Sequence, residues 1–197
     1  MKSLVAAAAL LFVPAGAMAQ TTPTPTPTPA AAPVPAAAPA AAADPIPNVY
    51  DKALGTGWVT WSWAKTDRSV DTGSARMPIK VEAQGFQALY LHHAAFSTAP
   101  YRGITMLIQT VGGEAEVRVI GIVNGKPIPN GTKVGADGQP EPKMKVVKMV
   151  PGGWTKVQIP LEELGIGEST TIDGFWVQNN KSEPAPNLYV ADIMLNR

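Results

Sequence analysis

An all-β fold, a sandwich or a barrel, is predicted for the chain from Asn48 onward. Three observations predict it: short runs rich in Val, Ile, Trp, Tyr and Thr, Gly, Pro, Asn and Asp between those runs, and a single segment suited to a helical turn, Leu161–Leu164 after Pro160. Many short strands separated by turn residues are typical of antiparallel sheets packed face to face.

The first nineteen residues have the pattern of a secretory signal peptide. Met1 and Lys2 form a short positive region, Leu4–Phe12 is apolar, and Ala17-Met18-Ala19 matches the small-x-small cleavage motif. The apolar run is too short to cross a bilayer, so no transmembrane segment is predicted. Residues 1–19 therefore predict export to the periplasm, the cell surface or the medium.

Residues 20–47 are almost wholly Thr, Pro and Ala, and this composition cannot form a packed core. Proline fixes φ and removes backbone donors, so we expect an extended, disordered linker that reaches about 3.1 Å per residue. Two interpretations stay open: a tether that holds the domain away from a surface, and a tail without function. The globular domain is assigned to residues 48–197.

Ten strands and one long loop are predicted within the domain. The loop is Lys126–Pro142, which holds four prolines and is long enough to border a site. The predicted strands are Val49–Lys52, Trp58–Thr66, Met77–Ala83, Phe86–His93, Ile104–Thr110, Ala115–Val123, Lys143–Val150, Trp154–Ile159, Gly174–Asn179 and Leu188–Leu195.

The overall charge and the cysteine count exclude several kinds of partner and chemistry. The chain has 16 Lys and Arg against 15 Asp and Glu, a net charge of +1 that provides no field to attract nucleic acid. There is no cysteine, which excludes disulfides, a thiolate nucleophile and a zinc-thiolate site.

Side-chain alternation with period two places polar and aromatic residues on one face of several strands. Tyr90 and His92 lie opposite Leu89 and Leu91, Trp176 and Gln178 lie opposite Phe175 and Val177, and Trp61 shares a face with Trp63. Alternation does not determine which face the two tryptophans occupy. If they are exposed, a binding surface for sugars is predicted, because sugar rings stack on aromatic rings and their hydroxyls need polar groups beside them. Its candidate residues are Trp61, Trp63, Tyr90, His92, Trp176 and Gln178.

No enzyme is predicted. The aspartates are scattered along the chain without the spacing of a glycosidase pair, and the only histidines, His92 and His93, point to opposite faces of one strand.

Six segments together resemble the galactose-binding-like jelly rolls of bacterial carbohydrate-binding modules. They are Tyr50–Trp58, Trp61–Trp63, Thr72–Ser74, Trp154–Leu161, Ile172–Trp176 and Leu188–Ile193. The resemblance implies a two-sheet jelly-roll sandwich and non-catalytic binding of a polysaccharide or cell-envelope glycan. It also implies a structural calcium ion, for which Asp51, Thr72, Gly73 and Asp192 match the ligand positions. Lys52 follows Asp51 where a second acid is common, so weak calcium binding, or a lysine salt bridge in place of the ion, is the alternative.

The function predicted from the sequence is thus secreted, non-catalytic carbohydrate binding. Two alternatives stay open: a structural or protein-interaction module of the cell envelope that does not bind sugar, and an enzyme that acts on polysaccharide.

Overall fold

Two antiparallel sheets and a separate small hairpin contain all the strands of the structure, a computed structural model that describes residues 46–135, 138–167 and 170–197. The predicted signal peptide and all but the last two residues of the predicted linker lie outside these ranges. The strands are β1 (Asn48–Asp51), β2 (Ala53–Leu54), β3 (Val59–Thr60), β4 (Lys65–Asp67), β5 (Ile79–Glu82), β6 (Ala88–Ser97), β7 (Gly103–Val111), β8 (Ala115–Val123), β9 (Lys126–Pro127), β10 (Pro129–Val134), β11 (Pro140–Pro142), β12 (Met144–Met149), β13 (Thr155–Pro160), β14 (Thr171–Asn179) and β15 (Asn187–Asn196), and a 3-10 helix covers Leu161–Leu164.

The first sheet, sheet A, has seven strands in the order β13-β7-β15-β1-β2, with β5 also paired to β15 and β4 paired to β5. The second, sheet B, has six strands in the order β12-β8-β14-β6-β3, with β9 also paired to β8. Successive strands β5 to β8 alternate between the two sheets, and so do β12 to β15. The predicted fold class, an all-β two-sheet jelly-roll sandwich, is confirmed.

The core lies between the inner faces of the two sheets. In sheet B, Leu91 pairs with Phe175 and Leu89 pairs with Val177, and all four are at most 3% exposed. Burying an apolar side chain of this size contributes about 1.5–3 kcal/mol, so these alternating positions hold the sheets together. Sheet A contributes Ile79, Val81, Ile104, Met106, Ile108, Leu188 and Val190.

The strand predicted over Trp58–Thr66 is divided in the structure. β3 ends at Thr60 in sheet B, and β4 begins at Lys65 in sheet A, so the chain changes sheets between them. The Trp61 N–H donates to the Tyr90 carbonyl at 3.0 Å and the Trp63 N–H to the Ala88 carbonyl at 3.2 Å. The segment therefore stays beside β6 until it crosses.

The loop predicted over Lys126–Pro142 is wrong in part, because this segment contains β9, β10 and β11. β9 follows a tight turn in which Asn124 and Gly125 have φ values of 51° and 72°, the conformation expected of an Asn-Gly hairpin. β10 and β11 pair only with each other, from Pro129 opposite Pro142, and proline is tolerated at such strand edges.

The last two residues of the predicted linker are fastened to the domain. The Ile46 carbonyl accepts a hydrogen bond from Trp58 Nε1 at 3.2 Å, and the Pro47 carbonyl accepts one from the Leu195 N–H at 2.8 Å. In the part of the chain that the structure describes, no helix has the length and apolar character needed to span a membrane.

Candidate functional site

One row of side chains crosses sheet B on the face that points away from the core. Trp176 of β14 is in register with Tyr90 of β6 and with Ile120 of β8, and Ile120 is in register with Met144 of β12. Trp61 extends the row beyond Tyr90, to which its backbone is hydrogen-bonded. Neighbouring strands lie about 4.8 Å apart, so the five side chains span about 19 Å.

The middle of this row forms a small second core on the outer side of sheet B. Tyr90, Ile120 and Ile122 are 6%, 1% and 0% exposed, and Trp176 and Met144 pack against them. This cluster is separate from the main core, because the sheet itself lies between the two. The exposed tryptophans at the edge therefore rest on a packed foundation.

Trp61 is the most exposed aromatic side chain of this face, at 59%. Its ring stacks on the His92 ring with centroids 3.5 Å apart and meets the edge of Tyr90 at 5.9 Å. Burial lowers the pKa of His92, against a raising effect of Asp173, so the imidazole under Trp61 is neutral at pH 7. Trp61 is thus held in place by two rings while it presents a large surface to solvent.

Trp63 is 41% exposed and is held by different contacts. Its ring meets Trp176 edge to face with centroids 4.8 Å apart, and its Nε1 donates to the Phe86 carbonyl at 3.3 Å. We call Trp61, Trp63, Tyr90, His92 and Trp176 the aromatic face. Edge-to-face and stacked ring pairs restrict rotation, so the face is ordered before any ligand arrives.

Gln178 lies beside the aromatic face but is only 6% exposed. Its Oε1 accepts a hydrogen bond from Arg118 Nε at 2.6 Å, and its Nε2 donates to the Phe86 carbonyl at 2.5 Å. The side chain is thereby engaged at both ends within the protein. The structure brings the five candidate binding residues with rings together and places Gln178 beside them, bonded to Arg118 and to Phe86. The role of all six in binding a ligand stays a prediction.

Sequence reasoning missed Phe86 and Arg118. Phe86 is 47% exposed, and the Arg118 guanidinium lies over its ring, 5.5 Å from the centroid. Arg118 is on β8, two strands away from β6, and nothing in the local pattern connects it to Phe86. The only sequence signal at Phe86 is an aromatic residue directly after Gly85, in a turn.

Three buried polar atoms of this region have no hydrogen-bond partner in the protein: Tyr90 Oη, Trp176 Nε1 and Asp173 Oδ1. The other carboxylate oxygen of Asp173 accepts the Gly125 N–H at 2.7 Å. Burial, and then the charge of Asp173, raises the pKa of Tyr90 to about 12, so its phenol keeps its proton at neutral pH. Unpartnered buried polar groups are few in proteins and are concentrated at functional positions or beside bound solvent.

The two histidines point to opposite sides of β6. His92 lies under Trp61, whereas His93 packs against the core rings of Trp58 and Phe96 at 5.2 and 5.4 Å. His93 Nδ1 is also 2.6 Å from the Ala94 carbonyl. Among the described residues, no group of three or more His, Asp and Glu side chains lies close enough together to hold a metal ion.

Three of the four residues assigned to a calcium ion make other contacts. Asp192 lies at an irregularity of β15, with φ 48°, and its Oδ2 accepts a hydrogen bond from Arg76 Nε at 2.9 Å. Thr72 Oγ1 is 2.9 Å from Ser74 Oγ, and the Gly73 N–H donates to Asp71 Oδ1. Calcium needs six to eight oxygens, and the contact of Asp192 with a guanidinium favours a salt bridge instead. Calcium at Asp51, Thr72, Gly73 and Asp192 stays a prediction that these contacts do not support.

The opposite side of the sandwich holds a cavity of about 370 Å³ lined by Trp154 and Tyr189 together with Gln109, Asp71 and Thr72. Both rings are half-buried, and the Arg76 guanidinium lies 5.8 Å from the centroid of the Trp154 ring. Trp154 is therefore a tryptophan at the surface but away from the aromatic face, which makes it useful as a control.

No protein-family model and no curated protein matches the chain. Its structural neighbours are carbohydrate-binding modules. A mutant family 29 module complexed with mannohexaose is 9% identical with a TM-score of 0.45, over 74% of this chain and 86% of that one. The family 11 module from Clostridium thermocellum, in complex with a β-1,3-1,4-mixed-linked tetrasaccharide, is 15% identical with a TM-score of 0.49, over 72% and 89%. At such identities and TM-scores the likeness carries no inference about a ligand.

Proposed function

We propose that the domain is a non-catalytic module that binds a polysaccharide on its aromatic face. The observation that carries this proposal is the exposure of Trp61 and Trp63, at 59% and 41%, on the same side of sheet B. Tryptophan rings that serve only a fold are buried between the sheets, as Trp58 is at 3%. Here two rings project from a packed support into solvent.

The chemistry of a sugar chain suits this surface. The C–H faces of a pyranose ring stack on an indole, and Trp61 and Trp63 follow one another along β6, so that each can contact a ring of one extended chain. The contacts to His92 and Trp176 hold the indoles in place, which lowers the entropy cost of binding.

Export belongs to the same proposal. A signal peptide at residues 1–19 and an extended tether at residues 20–47 would carry the module to a polymer outside the cytoplasm, at the surface or in the medium.

A protein partner is the second candidate, because Val59 on the same face is also exposed, at 42%. An apolar margin beside the two indoles is the kind of surface that protein interfaces use.

The test is binding of the domain to a panel of soluble glucans, mannans and xylans, measured by affinity electrophoresis and by calorimetry. Trp61→Ala and Trp63→Ala should each weaken binding about 30-fold, the effect of removing a central aromatic anchor worth about 2 kcal/mol. Trp154→Ala, a tryptophan on the opposite side, is the matched control and should bind as the wild type does.

Two results would refute the proposal. One is a panel in which no polysaccharide binds; the other is binding that survives in the Trp61→Ala and Trp63→Ala double variant. Retention of the module on a cell-envelope protein, without competition by soluble sugar, would select the second candidate.

A further inference from the structure

Three aromatic side chains are exposed in the part of the chain that the structure describes, and Phe86 is the third. The exposed fraction of its side chain is 47%, which lies between the values for Trp61 and Trp63. Phe86 comes two residues before β6, whose Ala88 is hydrogen-bonded to the Trp63 backbone. Trp61, Trp63 and Phe86 therefore follow one another along β6, with Phe86 at the end beyond Trp63 and its ring beside Arg118 of β8.

The backbone of Phe86 is in the left-handed region, with φ 56°. This conformation is uncommon for residues other than glycine and is unfavourable for a bulky side chain. The neighbouring Gly85 is needed for a different reason. A Cβ at that position would lie 2.0 Å from the Ser182 carbonyl oxygen, so only glycine fits there. The chain thus keeps a phenylalanine at a position that a glycine would occupy with less strain.

Four contacts hold Phe86 in this conformation. Its N–H donates to the Lys181 carbonyl at 3.0 Å, and its own carbonyl accepts from Gln178 Nε2 and Trp63 Nε1. The Arg118 guanidinium lies over its ring. The carbonyl that orients Trp63 is therefore fixed by the same turn that leaves the Phe86 ring at the surface.

We infer that Phe86 is a further stacking position of the binding surface, which adds contact with one more sugar ring beyond Trp63 and makes the module prefer longer chains. The inference rests on the proposed function. Strained residues that the surrounding contacts hold in place are concentrated at binding sites, and a half-exposed ring contributes little to the core. Phe86 combines both properties and shares its carbonyl with one of the two tryptophans.

Two substitutions separate the ring from the backbone. Phe86→Ala removes the ring and keeps a side chain in the left-handed conformation, whereas Phe86→Gly removes the ring and relieves the strain. Both should weaken binding of a hexasaccharide about tenfold, in whichever of the glucan, mannan or xylan series the wild type binds, and leave disaccharide binding unchanged. Phe86→Gly should unfold at a higher temperature than Phe86→Ala.

Lys52→Gly is the control for relief of strain alone. Lys52 has φ 57°, its side chain is exposed, and it lies in sheet A beyond β1. This variant should gain stability without any change in affinity. If both Phe86 variants bind the hexasaccharide as the wild type does while Trp61→Ala weakens it, the inference is wrong and the proposed function stands. If neither Trp61→Ala nor the Phe86 variants change binding, the proposed function fails with it.

Discussion

The two outer faces of the sandwich differ in chemistry although both sheets bury the same kind of inner face. On sheet A, the outer side chains of β4 and β5 form a charged network in which Lys65 and Lys80 contact Glu82 at 3.0 and 2.6 Å. On sheet B, the corresponding positions are Trp61, Tyr90, Trp176 and other apolar groups. Antiparallel sheets need only one apolar face to form a sandwich, and sheet A follows that rule. The apolar row on the outer face of sheet B, which lies beside the charged side chains of Glu116, Arg118 and Lys148, is therefore a feature that the fold does not require.

The charges on the outer side of β4 and β5 are typical of a surface in contact with water. The hydrogen bond and charge of Lys80 lower the pKa of Glu82, with Lys65 acting in the same direction, and that of Lys80 is raised chiefly by its hydrogen bond to Glu82. Both groups are at the surface, where such pairs stabilise a protein little and keep it soluble. The contrast supports the proposal that the ligand binds on sheet B.

The largest difference in stability between the two outer faces is expected in the small second core on the outer side of sheet B. Ile120→Ala should lower the free energy of unfolding by about 2–5 kcal/mol, because Ile120 is 1% exposed on the outer side of sheet B. Leu107→Ala, at a half-buried outer position of sheet A, should cost only about 1 kcal/mol. Urea unfolding followed by fluorescence measures both. Equal losses would mean that the two outer faces do not differ in packing.

A smaller loss of stability is expected when the salt bridge between Arg76 and Asp192 of β15 is removed. Arg76→Ala should lower the free energy of unfolding by at most about 1 kcal/mol, because Arg76 and Asp192 are 43% and 40% exposed. Lys148→Ala, which removes a long contact of 3.7 Å to Glu116, is the control and should change nothing measurable.

Thermal unfolding of the wild type tests whether calcium binds at this end of sheet A. If the salt bridge holds this end, neither calcium nor a chelator should shift the unfolding temperature of the wild type. An unfolding temperature that rises with calcium concentration would instead support a calcium ion at Asp51, Thr72, Gly73 and Asp192.

The smallest effect is expected from pH. Because the pKa of His92 is lower in the folded protein than its usual value of 6.5, the unfolded chain binds the proton first as the pH falls. The contribution of His92 to stability is complete above pH 6.5 and is lost below it, down to the lowered folded pKa. His92→Gln should reduce this dependence in thermal melts between pH 7.5 and 5. An identical pH profile in the variant would show that His92 does not titrate in this way.

The fold was predictable because alternation with period two recurs in most of the long strands. The same pattern showed that Tyr90, His92 and Trp176 avoid the core side of Leu89, Leu91 and Phe175. It could not decide the orientation of Trp61 and Trp63, because a face shared by two tryptophans is compatible with burial or exposure. Their orientation depends on where the chain crosses from sheet B to sheet A after Thr60, which is a property of the tertiary structure and not of the local sequence.

Other features escaped the sequence for identifiable reasons. Phe86 depends on a left-handed turn that no local signal at a phenylalanine indicates, and Arg118 reaches it from another strand. The strands within Lys126–Pro142 were hidden by their prolines, which argue against a central strand but are compatible with an edge.

The attachment of Ile46 and Pro47 has a practical consequence for the use of the module. Pro47 leads into β1 and is hydrogen-bonded to Leu195 of β15, both in sheet A, and Ile46 is hydrogen-bonded to the core residue Trp58, whereas the aromatic face belongs to the outer side of the other sheet. A dye, a bead or a second protein fused ahead of Ile46 would be joined to the domain through the strand that enters sheet A. Immobilised through that strand, the molecule would keep the indoles of sheet B free of the coupling chemistry, as a capture reagent or a biosensor requires.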